Sequence, residues 1–462
     1  MQGNSIDLNL SYFISQRIRA AEAGSFSAII HKVAVASIAV GLAAAIVSFM
    51  IMQGFQGNVK EKIYSFSNHL LITKFTMNNA VAEQPFAYKV ELYKHPEKFP
   101  FVKHVQEYSH KAGLIKTDDE VLGIVFKGVS KSFSQNAFAE NLIEGKFLSF
   151  ADSNYSHEIM ISKVIADKIK AKVGDAIVIH FFQNPPRFRK LKIVGIYETN
   201  LSEYFDNKVV IGDLRLVQQL NGWSANDAGG IEVAIDFNYF DAYNLWKKSV
   251  NHFMDVLHER VLDNPEEENK FLATLDALSQ YKFDFEQAAL EEAQQQIGEV
   301  MDYDLNVETV RDKYLQVFEW LDLVKRQVRI LLGIILIVVS VNMVSVILIL
   351  VMERIPMVGL LKAMGAQNKL IRSVFVFNGM NLIAKGLLYG NIVGLGFCFL
   401  QDRFHLLKLN AHDYYMSYVP VQWDWLTVII LNVIVFVVVS IVLLLPTRFV
   451  ARIQPVKAIK FD

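Results

Sequence analysis

The chain of 462 residues holds few side chains spaced for bond chemistry. Hydrolysing a nucleoside triphosphate needs a glycine-rich loop ending in Gly-Lys-Ser/Thr, whose backbone amides cradle the phosphates. Gly145-Lys146 comes nearest, but Phe147 follows and the loop is missing. No His-Glu-x-x-His helix offers a catalytic zinc, no Gly-x-Ser-x-Gly elbow offers a nucleophile, and no Cys/His cluster has zinc spacing. His69, His95, His104, His110, His157 and His180 are scattered singly and read as surface or satisfied polar residues. Cys398 stands alone, which excludes an internal disulfide. With 46 basic against 47 acidic residues, no net field gathers nucleic acid. Nothing in the residues supports an intrinsic enzymatic activity.

Two features remain. The first is a cation, Lys385, inside an otherwise apolar run, where a bare ammonium in lipid costs several kcal/mol. It could face a polar cavity, a partner subunit or a lipid head group, or snorkel to the interface. The second is the stretch from Glu353-Arg354-Ile355-Pro356 to Gly365. Proline pushes the preceding residue out of α geometry and suits the first turn of a new helix. Met357 to Met364 then reads as a short amphipathic helix closed by Gly365. Such a helix is a handle for another protein or rests on the membrane surface.

The elements that position these features are membrane spans. A composition of 52% hydrophobic and 20% charged residues is too apolar for a wholly soluble chain. A bilayer core needs about 20 apolar residues in a helix. Val33–Met52, Ile330–Met352, Ser373–Leu400 and Trp425–Leu445 qualify, with Lys385 the single interruption. Cytoplasmic flanks carry the excess of Lys and Arg. Arg17, Arg19 and Lys32, then Arg354, Lys362, Lys369 and Arg372, then Arg448, Arg452, Lys457 and Lys460 must share one side, so both termini are expected inside. Trp423, Trp425, Tyr414, Tyr415 and Tyr418 read as interface anchors on the other side.

The expected organisation is an amphipathic segment over 1–27, spans at 28–53, 327–352, 373–400 and 425–446, and an outer domain over 54–326. An inner loop covers 353–372, a short outer loop 401–424, and an inner tail 447–462. The outer domain reads as α/β. Its strands fall at 70–75, 122–126, 159–161, 176–182 and 191–197, and helical patterns at 86–95, 163–171 and 239–258. The stretch 265–305 is acidic and Gln-rich, with Glu266, Glu267, Glu268, Glu291 and Glu292, and has long helical potential. Phe55, Val59, Ile63 and Phe66 share one helical face, as do Val310, Tyr314, Val317, Leu321, Val324 and Val328, so the two extensions are expected to pair as a stalk. Gly386, Gly390 and Gly394 recur every four residues, the spacing that lets helices approach closely in lipid.

This combination resembles the permeases of the MacB/FtsX/Lol type of ABC transporter. Glu353-Arg354 through Gly359-Leu360-Leu361-Lys362-Ala363-Met364-Gly365-Ala366 is similar to the family's inner coupling helix, and Pro446-Thr447-Arg448 to Pro455-Val456-Lys457-Ala458-Ile459 to its C-terminal signature. Tyr12-Phe13-Ile14-Ser15-Gln16-Arg17, Met52-Gln53-Gly54-Phe55, Ile159-Met160-Ile161-Ser162 through Val173-Gly174-Asp175-Ala176-Ile177, and Ile193-Val194-Gly195-Ile196-Tyr197 resemble the lipoprotein-releasing, Lol-type branch.

The resemblance implies a polytopic α-helical membrane protein with four transmembrane helices. A large α/β periplasmic domain, divided into Porter and Sabre subdomains, would be inserted between helices 1 and 2. It implies a multi-pass protein of the bacterial inner membrane that extracts lipoproteins for outer-membrane delivery. ATP and Mg would be bound by separate ABC ATPase subunits, leaving this chain without a cofactor. The other partners implied are a second permease (the same chain or a paralogue), lipoprotein cargo, membrane lipids and a periplasmic carrier. The residues implied in ATPase coupling are Pro356, Gly359, Leu360, Leu361, Lys362, Ala363, Met364, Gly365 and Ala366. The carrier would meet a hairpin tip of Asn184, Pro185, Pro186 and Arg187, although the connection from Phe181 to Lys190 is short for the family's docking hook. The stretch 253–308 is longer than usual for the family. The same resemblance leaves two alternatives: a signalling permease that activates a periplasmic hydrolase, and an efflux permease.

Overall fold

The computed structural model describes residues 26–75, 83–117, 121–150, 154–199, 201, 205–258, 274, 283–410 and 416–450, the side chains of 26–28 and 445–450 excepted. The amphipathic N-terminal segment, Glu266 to Glu268, Tyr414, Tyr415 and most of the C-terminal signature lie outside these residues. The chain divides into two compact units, one of 1–58, 319–410 and 417–462, the other of 59–318 and 411–416.

The first unit is helical. Helix α1 (Phe26–Ser67) begins in it and continues as one element into the second unit. Four described helices are long and apolar enough to cross a membrane: α1, α7 (Leu315–Glu353), α9 (Asn368–Phe404) and α10 (Trp425–Val450). A shorter helix, α8 (Ile355–Ala363), stands between α7 and α9. Their shared core joins Ile38, Leu42 and Ile46 of α1 to Val339 and Met343 of α7, Leu382 and Ile383 of α9, and Val435 and Val439 of α10.

The second unit is α/β. Its strands are β1 (Leu70–Lys74), β2 (Phe86–Ala87), β3 (Val102–Lys116), β4 (Val121–Val129), β5 (Leu142–Gly145) and β6 (Glu158–Ser162). They continue with β7 (Ala176–Phe181), β8 (Arg187–Tyr197), β9 (Val209–Asp213), β10 (Asp227–Ala228), β11 (Gly230–Ile235) and β12 (Leu305–Thr309). Helices α2 (Lys163–Ile169), α3 (Leu214–Asn221), α4 (Ala242–Leu257), α5 (Phe285–Gly298) and α6 (Val310–Lys313) accompany them. One sheet runs β12-β1-β11-β3-β4-β9-β6-β8-β5, and β2 pairs only with β10.

Strand β7 pairs with both β3 and β8, so the path β3-β4-β9-β6-β8-β7 closes on itself as a six-strand ring. Closure removes exposed edges and encloses an apolar core of Ile115, Ile124, Phe126, Ile161, Ile179, Phe181 and Ile193, with Ile165 of α2 and Leu216 of α3 packed against it. A second core lies on the part of the sheet outside the ring, where Leu70, Ile72, Ile231 and Val233 meet Leu290, Ala293 and Ile297 of α5. Two apolar cores thus lie along one continuous sheet.

Three local expectations need correction. The helix expected at 86–95 is the two-residue strand β2 followed by a single turn at Glu91–Lys94, because Phe86 and Ala87 pair with Ala228 and Asp227 of β10 and proline at 96 stops the turn from lengthening. The apolar series from Val310 is broken at Tyr314, whose φ of −111° and ψ of 40° leave the helical region and separate α6 from α7. Arg187 belongs to β8, paired with Phe181, and is not part of the turn.

Candidate functional site

The connection between α7 and α9 is built around Pro356. Arg354 (φ −104°, ψ 12°) leaves helical geometry, α8 starts with proline in its first turn, and Gly365 adopts φ +90°, a value that strains any residue with a side chain. Helix α8 anchors itself through Val358 and Gly359, both buried, with Val358 in the core of the helical unit. Pro356, Leu360, Ala363, Met364 and Gly365 are exposed, while Leu361, Lys362 and Ala366 are partly covered. Leu360 is 58% and Met364 74% exposed. The expectation of an amphipathic helix is therefore corrected: the outward face is as apolar as the anchoring one. The residue at its centre is Leu360, with Leu361 turned partly inward.

The hairpin connecting β7 to β8 has a five-residue turn, Phe182 to Pro186, because Phe181 pairs with Arg187. Asn184, Pro185, Pro186 and Arg187 are exposed, and Phe182 and Phe188 flank them at 58% and 66% exposure. Those two aromatic residues are the part of the tip that sequence spacing did not single out.

The glycine stripe of α9 faces α1. A β-carbon at Gly386 would stand 2.6 Å from Ile38 Cβ, one at Gly390 2.9 Å from the Ala39 carbonyl oxygen, and one at Gly394 3.0 Å from Ala43 Cα. Lys385 lies on the opposite, exposed side of α9, which removes the reading of a polar cavity within the chain.

Two further contacts were not foreseen, although Gln53 and Gly54 belong to the stretch that resembles the Lol-type branch. Beyond the apolar run of α1, Gly54 meets the loop before α10, where a β-carbon would stand 2.8 Å from Pro420 O and 2.9 Å from Gln422 N. Gln422 N donates to Met50 O at 3.1 Å, and Gln53 Nε2 donates to Asp424 Oδ2 at 3.0 Å and Thr427 Oγ1 at 3.2 Å. The second contact lies in the α/β unit, where the last turn of α1 ends on a buried ion pair. Lys127 Nζ donates to Phe66 O at 2.5 Å and to Glu232 Oε1 at 2.6 Å, and Gln106 Nε2 donates to Glu232 Oε2 at 2.6 Å. The Lys127 and Glu232 side chains are 1% and 2% exposed. A cation on the C-terminal carbonyls of a helix complements its dipole, and here burial strengthens the attraction.

Around this helix end the chain is held by further polar contacts. Lys60 and Tyr64 of α1 both donate to Glu286 of α5. Burial first, and then the Glu286 carboxylate, push the Tyr64 hydroxyl well above its ordinary pKa, which keeps it a donor. Tyr314 Oη and Ser67 Oγ are 3.1 Å apart. The two helical extensions meet side by side: Phe55 and Trp320 pack edge to face at 5.4 Å, and Gln56 Nε2 donates to Leu321 O at 2.8 Å. Val59, Ile63, Val317 and Leu321 are buried, whereas Val324 and Val328 are only half-covered.

Two family models match separate parts of the chain. Residues 33–237 match the family model described as the MacB-like periplasmic core domain, and residues 329–455 that of the FtsX-like permease C-terminal. The lipoprotein-releasing system transmembrane protein LolC of Neisseria meningitidis is 20% identical over 465 residues, covering 96% of this chain and 97% of its own. LolE of Haemophilus influenzae, of the same system, is 20% identical over 473 residues, covering 98% and 99%. Among solved structures, the periplasmic region of MacB from Actinobacillus actinomycetemcomitans is 11% identical, covers 55% of this chain and 92% of that one, and has a TM-score of 0.30. The chain thus carries a MacB-like periplasmic core domain and an FtsX-like permease C-terminal region, on four helices long and apolar enough to cross a membrane, with the α/β domain inserted between the first and the second.

Proposed function

We propose that this permease extracts lipoproteins from the inner membrane for delivery to the outer one, driven by a separate ATPase. The relatives that match nearly its whole length are named for lipoprotein release. Extraction must be driven, since each acyl methylene withdrawn from the bilayer costs about 0.8 kcal/mol.

The observation that carries the reading is the outward face of α8. Pro356, Leu360, Ala363 and Met364 form an uncovered apolar strip on a helix whose other side is fixed in the core through Val358. Apolar surface of this kind on a rigid mount suits a protein partner. Here α8 and the following Gly365-Ala366 form the grip on which the ATPase acts, with both termini on the same inner side. ATP and Mg belong to that ATPase, and this chain supplies no hydrolytic group. A second permease completes the extraction path. Asn184, Pro185, Pro186 and Arg187, with Phe182 and Phe188 beside them, form the surface offered to a periplasmic carrier. Displacement of the grip is passed along α7 and α1, which are continuous helices of 39 and 42 residues and transmit motion that a flexible linker would absorb.

The test is ATP-dependent release of an acylated protein from proteoliposomes holding this chain, its host's ATPase and the second permease. Leu360→Asp and Met364→Asp should lower release at least about tenfold, a coupling loss of ~1.4 kcal/mol, while the chain still inserts and folds. Unchanged release in both variants refutes the grip. Protease accessibility placing Ala363 and Asn184 on one side of the membrane refutes the topology.

A further inference from the structure

Lys385 is the single charged residue in the four apolar runs of the sequence. In the structure, α9 turns Gly386 and Gly390 toward α1 and leaves Lys385, Leu388, Tyr389 and Ile392 exposed. The ammonium therefore stands on the outer wall of the helical unit, with no ion pair to any described residue. Lys385 is 12 residues from Ser373 and 15 from Leu400, the ends of its run, or about 18 and 22 Å at about 1.5 Å per residue. The run is about 10 Å longer than a hydrocarbon core about 30 Å thick, so when it is centred Lys385 lies about 13 Å from the nearer edge, farther than a four-carbon stem extends, and a lipid phosphate is a poor counter-ion.

A second copy of this chain is also a poor partner. A two-fold axis would set the Lys385 patch against itself, like charge on like. Any other pairing of copies lacks an anion, because Val33–Met52, Ile330–Met352, Ser373–Leu400 and Trp425–Leu445 contain neither Asp nor Glu. An uncompensated cation at this depth costs several kcal/mol, and charge complementarity selects what relieves it. We propose that Lys385 is the contact point for a different membrane protein whose own span carries an aspartate or glutamate at the same depth. Tyr389, one turn along the same exposed face, supplies a second donor to that carboxylate.

The full-length protein, in the membranes of its own host, is given a photo-crosslinking benzoylphenylalanine at exposed Leu388, which leaves Lys385 intact. The cross-linked peptide should come from an apolar span of another protein and include an Asp or Glu. Lys385→Met and Lys385→Gln should each lower the yield about tenfold or more, the loss expected for a charge pair in lipid, whereas Lys385→Arg retains it. Reversing both charges, Lys385→Glu with Lys in place of the partner's acid, should restore it. Adducts with lipid alone, adducts with a second copy of this chain, or a yield indifferent to Lys385→Met and Lys385→Gln would each overturn the proposal. Removing a charge from an exposed membrane face leaves folding intact, and equal thermal melts of the purified variants verify this.

Discussion

Gly54 lies directly against the carbonyl oxygen of Pro420, leaving no room for a β-carbon between helix α1 and the loop that precedes α10. The contact sits one turn beyond Met50, whose carbonyl accepts the Gln422 amide, and beside Gln53, which donates to Asp424. Backbone meets backbone here, so neither side can give way by rotating a side chain. The loop is thereby tied to the first span at the level where α1 leaves the apolar run.

Leucine at Gly54 should free that loop. The expected cost is about 1–3 kcal/mol, the usual range for overpacking a close contact. Trypsin cleavage at Arg403 or Lys408, measured on the purified protein, should accelerate in Gly54→Leu and to a smaller extent in Gly54→Ala. Rates equal to the parent's would show that the loop is held by other contacts.

The buried pair of Lys127 and Glu232 makes a different prediction. Lys127→Met leaves Glu232 with one donor, Gln106, in a site about as closed as a protein interior offers, and removes the cation from the Phe66 carbonyl. Breaking a buried pair from one side costs about 3–5 kcal/mol, whereas replacing both partners with apolar groups is often neutral. Denaturant melts should show a large loss in Lys127→Met that Lys127→Met/Glu232→Leu recovers in good part. Equal losses in the two would mean that the carbonyl contact, not the ion pair, dominates.

These contacts mark where the sequence stops being readable. The four spans follow from long apolar runs interrupted only by Lys385, and β6, β7 and β8 from short apolar segments between turn residues, because both signals are local. Lys127 alternates with apolar neighbours in β4 and reads as a solvent-facing residue; its partner Glu232 is 105 positions away. The closing of the strand ring rests on β7 pairing with β3 as well as β8, a choice set by packing among elements distant in the chain. Leu360 and Leu361 are indistinguishable by composition, and only the helix orientation separates the exposed one from the covered one. The spacing of Gly386, Gly390 and Gly394 was readable, but the identity of the facing helix was not.

That stripe can be tested against its own control. Gly390 and Gly396 are on the same helix, yet an added β-carbon at Gly390 meets the Ala39 backbone at 2.9 Å, while at Gly396 it meets nothing within 4 Å. Gly390→Leu should therefore destabilise the helical unit by about 1–3 kcal/mol. Gly396→Leu should be close to neutral. Thermal melts in detergent decide between this and a general intolerance of leucine in α9, which would move both variants alike.

His69 gives the fold a pH dependence whose direction the geometry sets. Its Nδ1 accepts the Ile235 amide at 3.0 Å, which only the neutral ring can do, and its ring packs at 4.4 Å from Tyr64 and 5.1 Å from Phe237. Burial lowers its pKa from the ordinary 6.5 to about 4, opposed by the attraction of Glu286. Above pH 6.5 both folded and unfolded chains carry neutral His69, and it adds nothing to the pH dependence. Between about 6.5 and 4 the unfolded chain binds the proton and the folded chain does not, so stability must fall as the pH drops through that window. Glutamine at this position can still accept the Ile235 amide through its carbonyl oxygen but does not titrate. His69→Gln should therefore lose less melting temperature than the parent between pH 7 and pH 4.5, with the two curves converging in slope above neutrality. Parallel curves across the window would mean that His69 is protonated in the folded protein and that the Ile235 contact is not made through Nδ1.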